Sequence, residues 1–182
     1  MIIITTSHKP SQRTRSFAKD LASVLPDAKV ITRGKKTLRD LSIIGFGLRA
    51  NHILVIGEKR GNPSLIRIFS IDHSSKYPTL LHKYSIILKG ITLSRENPDA
   101  VKTYGAEKFK VNHEECSDDN CFTLADVFLE LVFNHIDEND YDIEIKLVPH
   151  KNYTMINFIN TYNKLCGPII KVSRVKKIER TI

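Results

Sequence analysis

Short apolar runs alternate with amphipathic helical stretches over the first seventy residues, and no other feature constrains the fold as strongly. Ile2–Thr5 is a run of β-branched residues of the kind that makes a buried strand. Pro10 and Ser11 then mark a helix start, with Ser11 the expected N-cap. Phe17, Leu21, Val24 and Leu25 recur at helical spacing and give one apolar face, which Pro26 ends. Val30–Thr32 reads as a second short strand. "RGKKT" leads into a second helix bearing Leu38, Leu41 and Leu48 and weakened by Gly45 and Gly47. "HILVIG" is a third buried strand, followed by the turn "EKRGNPS" and the strand "LIRIFSI". Strands that alternate with helices imply an α/β layer structure, with helices packed on a sheet.

The second half is less regular. "YSIILKGITL" reads as a long strand. "TLADVFLELVFNHI" reads as a helix with Leu124, Val127, Phe128, Leu131 and Val132 on its apolar side. "YDIEIKLV" alternates as a half-buried strand does, and "YTMINFI" and "GPIIKVSRV" read as two further strands around the loop "NTYNKLC". Residues 94–121 are polar and partly acidic and read as a connection or insertion. No low-complexity segment or sequence repeat occurs. Each half nevertheless holds strands around helices, which leaves a duplicated architecture open.

Charge narrows the function. The chain of 182 residues carries a net charge of +8, and residues 1–70 hold 13 Lys and Arg against 4 Asp and Glu. Residues 71–182 hold 15 against 16, so all the excess lies in the N-terminal part. One-sided basic charge points to nucleic acid, an anionic surface or an acidic partner, against the plainer reading of a solvated surface. Membrane insertion is not expected, because no apolar run approaches the length of a span. "MIIIT" also lacks the basic start and cleavage site of a signal peptide. Three cysteines, Cys116, Cys121 and Cys166, are few and odd in number. No disulfide framework is expected, which fits a reducing cytoplasmic compartment.

The loop Thr5–Gln12 joins a strand end to a helix N-terminus, a geometry that holds phosphate. Arg13 and Arg15 in the first turn oppose the helix dipole unless an anion compensates. Asp20 lies at neither a three- nor a four-residue spacing from them, so no local ion pair explains their placement. The alternative is that Arg15 is merely solvated and the stem of Arg13 packs over the core edge. Arg33, Gly34, Lys35 and Lys36 occupy the next strand-to-helix connection, and Lys59 and Arg60 follow the third strand. Loops at the carboxyl ends of such strands lie side by side, where ligands bind. Three basic loops on one edge suit a polyanionic backbone. Ser7, Lys9, Ser11, Arg13, Arg15, Arg33, Gly34, Lys35, Lys36, Lys59 and Arg60 are therefore the candidate residues for holding the phosphates of a nucleic-acid backbone.

Nucleotide-enzyme motifs fail: neither GxxxxGK[ST] nor a GxGxxG after the first strand is present, and no nucleophilic triad has a recognisable context. His113, Cys116 and Cys121 form H-x2-C-x4-C, which matches no common zinc spacing, so neither metal nor cofactor is expected. His8 reads as a polar contact.

The stretch "TTSHKPSQRTRSFAKDLASVLPDAKVITRGKKTLRDL", with "VIGEKRGNPSLIRIF" after it, resembles the start of the Brix domain. The likeness is strongest to archaeal Brix proteins and to the eukaryotic member that acts in small-subunit pre-rRNA processing. It rests on Ser7, Pro10–Ser11, Arg13, Arg15, Phe17–Leu21, Pro26, Arg33–Gly34, then Arg60, Gly61 and Pro63, and on Gly167, Pro168, Ile170 and Val172 near the C-terminus. Residues 1–71 match well and 153–178 moderately, whereas 94–135 match poorly. The resemblance implies a non-catalytic ribosome-biogenesis factor that binds rRNA or pre-rRNA, with other ribosome assembly proteins as partners. It also implies a single domain over 1–182 made of two α/β halves, about 1–80 and 81–182. Each half would be like the anticodon-binding domain of class IIa aminoacyl-tRNA synthetases. The near-absence of basic tails looks archaeal rather than nucleolar. Two rivals stand beside this expectation: a protein-interaction module that docks an acidic partner, and an enzyme acting on a nucleotide or tRNA.

Overall fold

The computed structural model describes every residue except Ser75. Along the chain its elements are β1 (Ile2–Thr6), α1 (Gln12–Ser23), β2 (Ala28–Val30), α2 (Leu38–Gly47), β3 (His52–Lys59), β4 (Asn62–Asp72) and β5 (Thr79–Thr92). They continue as β6 (Phe109–Asn112), α3 (Asp119–Leu131), β7 (Ile143–His150), β8 (Tyr153–Asn160) and β9 (Leu165–Thr181). All the strands join one curled sheet in the order β2-β1-β3-β4-β5-β9-β8-β7-β6.

Both ends of this sheet are parallel and its middle is antiparallel. β1 runs parallel to β2 and to β3, and β6 runs parallel to β7. From β3 to β5, across β5 to β9, and back to β7, every pairing is antiparallel. The order β1-β3-β4-β5 is thus mirrored by β6-β7-β8-β9 about the β5–β9 contact.

The alternation along β1 decides which helix covers which face. Ile2 and Ile4 point into a core with Phe17 and Leu21 of α1, with its C-cap Val24, and with Leu124, Val127, Phe128 and Leu131 of α3. Ile3 points the other way, to a smaller core with Leu41 of α2, Ile53, Phe69 and Leu80. Helices α1 and α3 therefore share one face and α2 lies on the other, as the period-two side-chain geometry of a strand requires.

Gly167 fastens the last strand to the first helix. Its φ is +67°, and a Cβ placed there would meet Val24 Cγ1 at 2.5 Å, so only glycine admits this approach.

Several sequence expectations need adjustment. The second strand lies at Ala28–Val30 rather than Val30–Thr32, because its register with β1 stops at Ile4↔Val30. Leu48 is not a core residue of α2 but its exposed C-cap. The segment 94–121 is not only a connection, since it contains β6. Its Phe109 and Val111 face the core and its backbone pairs with β7. The loop before the last strand ends at Lys164, with Leu165 already paired to Ile159. The cysteines are not all free. Cys116 and Cys121 form a disulfide with Cα atoms 5.5 Å apart, because the N-cap turn of α3 folds the chain back on itself; Cys166 is free and buried. The bond also removes two of the three groups in H-x2-C-x4-C from consideration as metal ligands. Among the described residues, no helix is long and apolar enough to cross a membrane.

Candidate nucleic-acid interface

Because β1, β2 and β3 are parallel, their carboxyl ends deliver three loops to one edge of the sheet. Two hydrogen bonds tie these loops together. His8 Nδ1 lies 2.9 Å from the Gly34 carbonyl oxygen, and the Ser11 hydroxyl donates to the Gly61 carbonyl at 2.8 Å. The candidate residues 7–15, 33–36 and 59–60 are thus brought together. The third loop is tighter than the sequence suggested. Glu58–Lys59 and Asn62–Pro63 remain in register, and only Arg60 and Gly61, with φ of 52° and 77°, make the turn. Two central residues at positive φ are what a two-residue hairpin demands.

The anion that the first turn of α1 requires comes from the protein. Ser11 caps the helix, its hydroxyl accepting from the Thr14 amide at 3.1 Å. No acidic residue lies in the first turn. Instead the Glu58 carboxylate, from the end of β3, accepts from the Ser11 amide at 2.9 Å and from the Thr14 hydroxyl at 2.6 Å. Those bonds, the Thr14 one foremost, hold its carboxyl below the usual range. The place where a bound phosphate was expected is therefore occupied by a side chain, which takes the Ser11 N–H at the helix start.

Arg13 is likewise committed. Its guanidinium donates to both carboxylate oxygens of Glu96, in the 3-10 turn Ser94–Glu96, and to the Ile91 carbonyl at 3.0 Å. The absence of a local ion pair held, but a partner 83 residues away takes its place. Ser11 is a structural cap. Ser7 continues the strand ladder, its amide donating to Ile56 O at 2.8 Å. Lys36 curls back to the Thr32 carbonyl at 3.1 Å.

The remaining cations surround a cleft. Between α1 and the edge strand β2 lies a cavity of about 700 Å³ whose lining includes Lys9, Arg15, Lys19, Arg33 and Lys35, and no acidic residue. Among the described residues none of these five makes an ion pair. Lys59 and Arg60 stand exposed at the hairpin tip beside Ser11, outside this lining. Arg33 is 8% exposed, and its Nε and Nη1 have no hydrogen-bond partner. Desolvation lowers its pKa, opposed by the charge of Asp40. Sequence reasoning located the basic loops but not the apolar floor of the cleft, Ala18 and Val30, nor Glu58. The one available signal was an edge strand with only β1 beside it, whose Val30 stays 36% exposed.

No cluster of three or more His, Cys, Asp or Glu converges among the described residues. Fold and edge together define an α/β protein whose loop edge carries a cluster of cations without ion-pair partners.

Comparison with known proteins sharpens this. No family model matches the chain. A probable Brix domain-containing ribosomal biogenesis protein of Pyrococcus furiosus is 30% identical over 196 residues, covering 94% of this chain and 83% of its own. That of Aeropyrum pernix is 40% identical over 93 residues, 51% of this chain and 50% of that protein. The match to the Thermococcus kodakarensis protein spans 44% of its length, so the chain aligns with about half of these two relatives. Among solved structures, a probable ribosomal biogenesis protein from Aeropyrum pernix superimposes with a TM-score of 0.82 at 26% identity over 98% of both chains. The archaeal Imp4-like protein Mil shares the fold, with a TM-score of 0.67 at 21% identity over 97% of this chain and 99% of its own. The chain belongs to the Brix domain-containing ribosomal biogenesis proteins.

Proposed function

We propose that this protein binds rRNA or pre-rRNA through the loop edge of β1, β2 and β3 and acts without catalysis in small-subunit assembly or rRNA processing. The observation that carries the reading is the ring of cations without carboxylates, Lys9, Arg15, Lys19, Arg33 and Lys35, with Lys59 and Arg60 beside it. Phosphate contacts of this kind position a protein on RNA without reading its sequence. Specificity then comes from RNA shape or from bases unstacked in loops, with other ribosome assembly proteins as further partners in a cytoplasmic setting. The reading also takes the chain as one domain of two halves, about 1–80 and 81–182, each like an anticodon-binding domain of class IIa synthetases. The mirrored strand order supports that.

Binding of small-subunit rRNA fragments and of unrelated RNA, measured across a salt series, tests the function. Four to six neutralised phosphates give a slope of log affinity against log salt of roughly −3 to −5. The double variants Lys9→Ala/Lys35→Ala and Lys59→Ala/Arg60→Ala each flatten it by roughly 1 to 2. Slopes near zero, or variants that match the wild type, would assign this edge to an acidic protein instead.

A further inference from the structure

The cleft between α1 and β2 has more shape than phosphate contacts require. A surface that only tracks an RNA backbone needs a basic rim. This one has a hollow of about 700 Å³, within the size range of small-molecule sites, floored by Val30 and Ala18. An acidic side chain could meet the rim cations but would leave most of that apolar volume unfilled.

Two arginines add direction. Arg33 is buried with two donor nitrogens lacking any acceptor, although nearly all buried polar groups in folded proteins are paired. The charge of Asp40 acts on it, but the two form no ion pair. Arg15 is held at the cleft by the Pro10 carbonyl at 3.0 Å and the Gln12 side-chain oxygen at 3.1 Å, which fixes the plane of its guanidinium. Guanidinium planes are surfaces on which unpaired RNA bases stack. An apolar floor, a fixed cationic plane and an unpaired buried donor together ask for a flat, largely apolar ring that carries acceptors and an anionic group.

We propose that this cleft holds one unpaired nucleotide of a single-stranded RNA, its base over Val30 against Arg15, and its acceptor atoms toward Arg33 and Lys35. The inference rests on the RNA-binding reading above and extends it to what is bound: a base displaced from its stack, not a duplex. A free nucleotide offers the same chemistry, and the experiment separates the two sources.

The test uses the full chain and a short RNA carrying the fluorescent base 2-aminopurine at its centre. Comparison RNAs are the same strand with an abasic site at that position, and a blunt duplex of equal length. The intact strand is expected to bind about tenfold more tightly than either, with a change in 2-aminopurine emission. Arg33→Gln and Val30→Glu should each erase the preference while keeping wild-type circular dichroism; Val30 is exposed enough to accept the change. Lys59→Ala/Arg60→Ala should weaken all three RNAs alike and preserve it. Equal binding of intact and abasic strands, with salt dependence retained, overturns the nucleotide site and leaves the RNA reading standing. Loss of all RNA binding overturns both. A mononucleotide that binds as tightly as the strand, or an oligoglutamate that displaces it equally well, also overturns the proposal, in favour of a free nucleotide or of charge alone.

Discussion

Helices α1 and α3 stand in equivalent surroundings and solve the same electrostatic problem in opposite ways. Each leaves the carboxyl end of a parallel strand, β1 or β6, and each leads to its parallel neighbour. The N-terminus of α3 is self-sufficient. Asp118 caps it, accepting from the Cys121 amide at 2.9 Å, Asp119 follows in the first turn, and the Cys116–Cys121 bond closes the loop. The N-terminus of α1 has only Ser11 locally and imports its carboxylate from Glu58, 44 residues away from Thr14.

The nearby cations follow suit. Beside the N-terminus of α3, Lys146 pairs with Glu115 at 2.9 Å. At the near end the cleft cations have no such partners. The comparison teaches that one edge is electrostatically closed, whereas the other spends Glu58 on the helix and Glu96 on Arg13 and leaves its cleft cations open.

The largest expected effect tests the closed edge. Reducing the Cys116–Cys121 bond, which spans five residues, should cost about 2 kcal/mol and lower the melting temperature by about 6 °C. Melting curves with and without a phosphine reductant, with alkylation to confirm the thiol state, check this. An unchanged midpoint would mean that Asp118 and Asp119 suffice.

Next comes the open edge. Glu58→Gln removes a charged acceptor from two donors and should cost about 1 to 2 kcal/mol at neutral pH. The carboxyl of Glu58 is held below its ordinary value when folded, so its contribution is present above the unfolded pKa and fades as pH falls through the lower, folded one. Urea midpoints of variant and wild type should therefore converge below about pH 4. A constant gap there would show that packing, not charge, is lost.

Asp118→Ala should cost about 1 kcal/mol, less than Glu58→Gln, because only one cap bond goes and the disulfide remains. Chemical denaturation of both variants ranks the two caps, and the reverse order would break the comparison.

The smallest effect is an expected silence. Arg13→Ala should leave RNA affinity within about twofold of wild type, since Arg13 already serves Glu96; Lys35→Ala, with no ion pair, should weaken it by about two- to fivefold at low salt. Titrations side by side would expose an error if Arg13 proved the more costly loss.

How much of this was legible depends on the range over which the causes act. The α1 start at Ser11 and its face of Phe17, Leu21 and Val24 follow from local capping and period, and both are as expected. The three basic loops share an edge because parallel strands end together, which alternation alone implies. Strand β6 was hidden because four residues with two apolar positions carry too weak an alternation; its pairing with β7, more than thirty residues later, makes it a strand. Glu58 and Glu96 were invisible for the same reason, since helical spacing rules see only three or four residues along the chain. The cleft floor needed the third dimension, because an exposed Val30 becomes a site only when α1 lies beside it.

The packing of Gly167 on Val24 carries a kinetic consequence. β9, the last strand in chain order, sits at the centre of the sheet beside β5 and also closes on the C-terminal end of α1. Contacts of such sequence separation slow folding, because loop-closure entropy must be met before they form. A chain emerging from a ribosome would hold its first half with an open central edge until β9 arrived, and both halves would be completed in one late step.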